Sequence, residues 1–287
     1  MAGLRNKVCL VTGASRGVGK GIALGLAQAG ATVYVTGRSS EQPVDDLLPG
    51  SLAQTVAEIN AAGGKGIAVV CDHGDDAQVQ ALCARLEREV GGLDLLVNSA
   101  IALPSDIVDT KPFWQKSFAQ VNMLTVGLRS NYVMAYYAAP LLIKNKGLMV
   151  SISSPGSRCY MHGPAYGAGK AGTDKMTHDM AHDFKPLGVT VIGLWPGVVR
   201  TERLEMLKEA DPNMYQGIAN MSESAALQGQ VLAAFFADAK RHEDTGTLFY
   251  TADLAQRYGL KDDNGLVPNS PAGMFGPPTT FSSIVIE

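Results

Sequence analysis

The sequence predicts an α/β protein: a single doubly wound parallel sheet with helices on both faces. Two observations predict it. Short apolar runs alternate with helical stretches from residue 8 to residue 250, and that alternation packs as parallel strands covered on both sides. The chain of 287 residues, 46% of them hydrophobic, also suits one large core better than two enzyme-sized domains.

The strand-like runs are residues 8–12, 33–36, 66–70, 93–97, 148–153, 189–195 and 247–250. Helices are expected at 17–29, 52–62, 78–90, 118–143, 165–184 and 223–237. Residues 39–51 are polar and carry Pro43 and Pro49, so a long surface loop is expected there. The segment after Thr201 is irregular, with Met206, Met214 and Met221 among charged residues. These methionines read either as the lining of a lipophilic pocket or as gap-fillers in a mobile helix pair. One domain is expected over residues 1–267. Residues 268–287, rich in Pro, Ser, Thr and Gly, are expected to form an extended or mobile tail.

Composition excludes several classes. A net charge of -3 and the absence of a basic stripe argue against nucleic acid as a partner. Apolar runs break well before 18 residues, so no integral membrane segment is expected. The opening MAGLRNKVCLVTG enters a strand almost at once and lacks the layout of a secretory signal. Cys9, Cys71, Cys83 and Cys159 form no C-x-x-C, and buried reduced thiols suit a cytoplasmic location. His178-Asp179-Met180-Ala181-His182 imitates a zinc helix, but its acid is Asp and no third ligand is evident. It reads as a helix surface, and no metal is expected.

The chemistry begins at Thr12-Gly13-Ala14-Ser15-Arg16-Gly17-Val18-Gly19, which leaves the first strand and opens the first helix. Glycines there let the backbone approach a pyrophosphate, and the helix N-terminus offers it free N–H groups. Gly13, Ser15, Arg16, Gly17, Val18 and Gly19 are the candidate contacts. The second strand ends Val35-Thr36-Gly37-Arg38, without the acid that would bind ribose hydroxyls. A guanidinium at Arg38 would instead pair with a 2′-phosphate, with Arg16 as a second clamp, and the expected cofactor is NADP(H). Asp72, just after the third strand, is placed to bond the adenine amino group, although an Asp there also serves as a plain helix cap.

Tyr166 and Lys170 are four apart, on one face of a helix. Ile152-Ser153-Ser154 closes the strand before that helix. Ligands of doubly wound sheets bind outside the carboxyl ends of the strands, so these residues and the glycine turn should converge. A phenol with a pKa near 10 is a poor base at pH 7. A nearby ammonium and a positive nicotinamide ring would lower it, letting Tyr166 give a proton to a carbonyl or take one from an alcohol.

The glycine turn, Asn98-Ser99-Ala100, Tyr166-Gly167-Ala168-Gly169-Lys170 and Pro196-Gly197, in this order, resemble the motif set of the short-chain dehydrogenase/reductase superfamily. A likeness to one branch of it rests on Ile152-Ser153-Ser154-Pro155-Gly156-Ser157, Leu194-Trp195-Pro196-Gly197 and Asp253-Leu254-Ala255-Gln256-Arg257-Tyr258-Gly259-Leu260. The resemblance implies a Rossmann-type fold and an NADP-dependent oxidoreductase interconverting a carbonyl and an alcohol on a small molecule, with residues about 201–240 as the substrate loop. It implies Tyr166 as acid/base and Lys170 as its helper and ribose ligand. Ser154, chosen over Ser153 by its spacing to the Tyr, would hold the substrate oxygen. Asn98 would support sheet and cofactor, and Pro196, Gly197, Val199 and Thr201 the nicotinamide. The helices at 118–143 and 165–184, apolar around much of their circumference, would pair across subunits in a homodimer or homotetramer.

Two features depart from the pattern. The family's second asparagine falls at Gly127, with Asn122 and Asn131 near but off register, and the fourth strand ends Asn-Ser-Ala. Gly127 leaves open a second reading, a dinucleotide-binding sensor or scaffold with little turnover. A sugar-nucleotide epimerase would need a larger C-terminal substrate domain than follows Thr201.

Overall fold

A computed structural model describes residues 3–43 and 48–286. In chain order its elements are β1 (Val8–Val11), α1 (Gly17–Gln28), β2 (Thr32–Gly37), α2 (Leu52–Ala61), β3 (Lys65–Val70), α3 (Asp76–Val90), β4 (Leu95–Asn98), α4 (Ser130–Asn145), β5 (Leu148–Ile152), α5 (Pro164–Phe184), β6 (Thr190–Trp195), β7 (Val199–Arg200), α6 (Glu202–Ala210), α7 (Pro212–Asn220), β8 (Glu223–Ser224), α8 (Ala225–Ala237), β9 (Leu248–Tyr250), α9 (Thr251–Arg257) and α10 (Ala272–Phe275). Seven strands form one parallel sheet in the order β3-β2-β1-β4-β5-β6-β9. The order reverses between β1 and β4, which opens a crevice at the carboxyl ends of those strands. All seven expected strands are present.

The sheet is apolar throughout because both of its faces are covered. Along β1, Cys9 and Val11 point to one side and Leu10 to the other. Leu95 and Val97 alternate with Leu96 in the same way, as Val150 does with Met149. One side packs on Ile22 and Leu26 of α1, Ile59 of α2 and Val231 and Phe235 of α8. The other packs on Val79 and Leu86 of α3, Met134 and Leu142 of α4 and Phe184 of α5. Helix ends are set locally. The Asp75 carboxylate accepts from the N–H groups of Ala77 and Gln78 to start α3, and Gly91 ends it in the left-handed region.

The helix expected over 118–143 is not continuous. A 3-10 turn spans Phe118–Val121 and a wide turn spans Leu124–Arg129, broken at Val126 (φ -110, ψ 99) and Gly127 (φ 142, ψ -43). The break is held by specific bonds. The Gly127 N–H donates to Ser130 Oγ at 3.0 Å, Asn131 Nδ2 donates to the Gly127 carbonyl at 2.6 Å, and Ala102 N–H donates to the Val126 carbonyl at 2.9 Å. The helix expected from residue 223 starts at Ala225, because Glu223 and Ser224 pair instead with Val199 and Arg200.

Of the loop expected at 39–51, residues 44–47 lie outside the described residues. The remainder carries no regular structure, and Ser39 and Ser40 accept from the first amides of α2. The segment from residue 268 includes the short α10 and touches the body: Tyr250 Oη donates to the Gly276 carbonyl at 2.8 Å, and Phe281 lies 5.0 Å from the His178 ring. Among the described residues no helix is long and apolar enough to cross a membrane.

Candidate functional site

The expected site residues all lie at the carboxyl ends of the strands. Gly13, Ser15, Arg16, Gly17, Val18 and Gly19 form the turn from β1 into α1. Arg38 follows β2, Asp72 follows β3, Asn98 ends β4 and Ser154 follows β5. Tyr166 and Lys170 occupy the first turns of α5. Pro196 and Gly197 follow β6, Val199 lies in β7, and Thr201 caps α6 with its side chain.

Backbone and side-chain bonds fix the glycine turn. Thr12 Oγ1 accepts from the N–H groups of Ser99 (2.9 Å) and Ala100 (3.1 Å), tying β1 to β4. Thr55 Oγ1 donates to the Ala14 carbonyl at 2.9 Å. The backbone is packed so closely that a Cβ on Gly19 would come within 2.3 Å of the Gly13 carbonyl oxygen. Beside it, Oδ1 and Nδ2 of Asn98 are buried without a protein partner, as polar atoms are when a water or ligand satisfies them. Both features fit a dinucleotide laid across the crevice. Arg16 Nη1 donates to the Leu48 carbonyl at 2.9 Å, and Arg38 is exposed. Asp72 Oδ1 already accepts from the Gly74 N–H at 2.8 Å.

The second cluster sits over β5. Pro164, suited to a helix's first position, opens α5. Lys170 Nζ lies 5.6 Å from the centre of the Tyr166 ring and donates to the Ile152 carbonyl at 2.9 Å. Ser153 Oγ donates to the Lys170 carbonyl at 3.2 Å and is thereby committed, whereas the Ser154 hydroxyl lies beside the phenol. Burial pushes the Lys170 ammonium down to about 8, with Asp174 acting the other way. Burial also raises the Tyr166 phenol, against a lowering from the Ser154 hydroxyl. The folded chain therefore does not by itself supply the depressed phenol expected from the Tyr-x-x-x-Lys spacing: desolvation, with Cys159 acting the same way, outweighs the Ser154 hydroxyl.

Four polar residues near the site belong to no motif. His73 is buried with Nε2 2.7 Å from Thr36 Oγ1 at the end of β2. His162, at φ 61, sets its ring edge-on to Tyr166 with centres 5.0 Å apart. Asp174, one turn beyond Lys170 and buried, accepts from Trp195 Nε1 at 3.0 Å. Glu202 Oε2 accepts from the Gly17 N–H at 2.8 Å. No sequence period joins these partners. Of Met206, Met214 and Met221, the first lines a cavity of about 580 Å³, while the other two are exposed. Among the described residues no group of three or more His, Cys, Asp or Glu is arranged to hold a metal.

Comparison with known proteins gives concordant results. The chain shares 38% identity with Dehydrogenase/reductase SDR family member 1 of Homo sapiens over 276 residues, covering 92% of this chain and 85% of that protein. It shares 28% identity with Hydroxysteroid dehydrogenase-like protein 2 of Danio rerio, covering 88% of this chain and 58% of that protein. A short-chain type dehydrogenase/reductase from Mycobacterium marinum has the same fold, with a TM-score of 0.69, 23% identity and coverage of 86% and 94% of the two chains. A crystal structure from Xanthomonas campestris superposes with a TM-score of 0.77 at 27% identity, over 92% and 94% of the two chains. The family model described as short chain dehydrogenase matches residues 7–212, and on that match the chain belongs to the short-chain dehydrogenase family, whose dehydrogenases and reductases work with a nicotinamide dinucleotide.

Proposed function

We propose that this chain is an NADP(H)-dependent oxidoreductase that interconverts a carbonyl and an alcohol on a moderately apolar small molecule, with Tyr166 as the acid/base. The observation that carries the proposal is the meeting of Tyr166, Lys170 and Ser154 at the carboxyl end of β5, beside the crevice. When bound, the nicotinamide supplies or accepts a hydride. Tyr166 Oη gives a proton to the carbonyl oxygen in reduction and takes one from the hydroxyl in oxidation. The Ser154 hydroxyl holds that oxygen beside the phenol. Lys170, when charged, favours the phenolate and would hold the nicotinamide ribose. Pro196, Gly197, Val199 and Thr201 would border the nicotinamide, the glycine turn the diphosphate, and Asp72 the adenine. Arg38, exposed beyond β2 where no acid stands, supports the choice of the 2′-phosphorylated cofactor.

Two measurements test this. In titrations with both cofactors NADPH should bind more tightly than NADH, and Arg38→Asp should narrow or reverse the gap, since a charge-assisted pair contributes about 1.5–3 kcal/mol. Tighter NADH binding by the unchanged protein would overturn the cofactor assignment. Across a panel of ketones and aldehydes, Tyr166→Phe should lower kcat by about 10²–10⁴-fold with NADPH binding retained. Near-full turnover by this variant would remove Tyr166 from its role. A second reading, a dinucleotide-binding sensor, is favoured by Gly127 standing where the family pattern has asparagine. Tight NADPH binding with no turnover on any carbonyl would select it.

A further inference from the structure

We propose that Glu202 competes with the dinucleotide's diphosphate for the Gly17 amide, so that a carboxylate of the chain itself sets the affinity of the phosphate-binding turn. The proposal rests on the dinucleotide reading of that turn. Gly17 is the first residue of α1, and Arg16 before it offers the helix no side-chain cap. The amide is met instead by Glu202 Oε2, 2.8 Å away and 185 residues along the chain. A carboxylate at a helix's opening N–H is a charge-assisted bond favoured by the helix dipole. It is also the position at which such a turn binds phosphate. One N–H cannot serve two anions at once, and two anions in contact repel. The diphosphate must therefore drive Glu202 off.

The surroundings allow that movement. Glu202 opens α6, within the 201–222 segment whose two ends are pinned by the pairing of Val199 with Glu223 and Arg200 with Ser224. Between these fixed ends the segment is lightly anchored: α6 buries Leu204 alone, and α7 buries none of its residues. Elements with so few buried contacts open at low free-energy cost. A cavity of about 580 Å³ separates Glu205 and Met206 of α6 from Lys20, Gly21 and Leu24 of α1. Neighbouring cations are engaged with other acids, Lys20 with Glu58 at 2.8 Å and Arg200 with Asp263 at 2.5 Å. Glu202 thus acts as a latch: it ties α6 to the glycine turn and yields to a stronger anion.

The test is binding, so no substrate is needed. Glu202→Gln keeps the shape and removes the charge. It should tighten NADPH in a fluorescence titration by about three- to tenfold, and Glu202→Ala should change affinity in the same direction. Glu205→Gln, an acid on the same helix paired with Lys208, should leave the dissociation constant within about twofold. Hydrogen exchange across residues 201–222 should be faster in Glu202→Gln than in the unchanged protein. It should also speed up in the unchanged protein on adding 2′-phospho-ADP-ribose, which carries the diphosphate without nicotinamide. Equal NADPH affinity and equal exchange in Glu202→Gln and the unchanged protein would overturn the latch alone, as would equal tightening by Glu205→Gln. Failure of the unchanged protein to bind any nicotinamide dinucleotide would overturn the cofactor site and the latch with it.

Discussion

His73 lies beneath the ends of β2 and β3, 4% exposed, with Thr36 as its hydrogen-bond partner. Burial pushes its pKa from 6.5 down to about 4, with Asp72 opposing. The folded chain keeps the ring neutral, while the unfolded chain protonates it below 6.5. The stability attached to the neutral ring is therefore complete above pH 6.5 and is lost as pH falls toward 4. By linkage, roughly 2 kcal/mol should disappear between pH 7 and pH 5 from this group. Urea unfolding at the two pH values should show that drop. His73→Gln should start less stable at pH 7 and fall by less over the same interval; an equal fall would assign the slope to other groups. The residue was silent in the sequence, because a histidine just past a strand reads as loop surface. Tyr166, Lys170 and Ser154 could be read because their spacing and their place after a strand both point to one edge of the sheet.

The break before α4 marks the limit of periodicity as a guide. Seven strands were legible because a parallel strand buried on both faces is written as an unbroken apolar run. Residues 118–143 are similarly apolar, and Val126-Gly127 inside them carries no turn signal beyond one glycine. The kink depends on two local side chains, Ser130 and Asn131, and on one remote partner, the Ala102 amide, which the apolar period does not reveal. Gly127 sits at φ 142, and a Cβ there would meet Ile101 Cγ1 at 3.1 Å. Installing the asparagine of the family pattern, Gly127→Asn, should therefore destabilise the fold by about 1–3 kcal/mol. Thermal and urea denaturation would report it, and unchanged stability would show that the turn adapts. The Glu202–Gly17 bond lay beyond sequence reading for another reason: its partners are 185 residues apart and share no pattern.

At the scale of the molecule, α4 presents Tyr132 and Tyr136 outward, 54% and 66% exposed and one helical turn apart. Phe118, in an earlier 3-10 turn, is also exposed, and the tyrosine pair is an aromatic surface suited to burial against a second copy. We expect a homodimer or homotetramer that buries it. Light scattering at micromolar concentration should give a multiple of the monomer mass, and Tyr136→Glu should shift it downward. A monomer in the unchanged protein would contradict this. A different consequence follows from the two rungs that join β7 to β8. They bring the ends of a 22-residue excursion (residues 201–222) to one strand spacing, so the body on either side never registers how far the chain has travelled in between. Doubling the length of such a loop costs only about 0.6 kcal/mol. The excursion is thus a cassette: foreign sequence grafted between the same rungs would leave the sheet beneath it as it was.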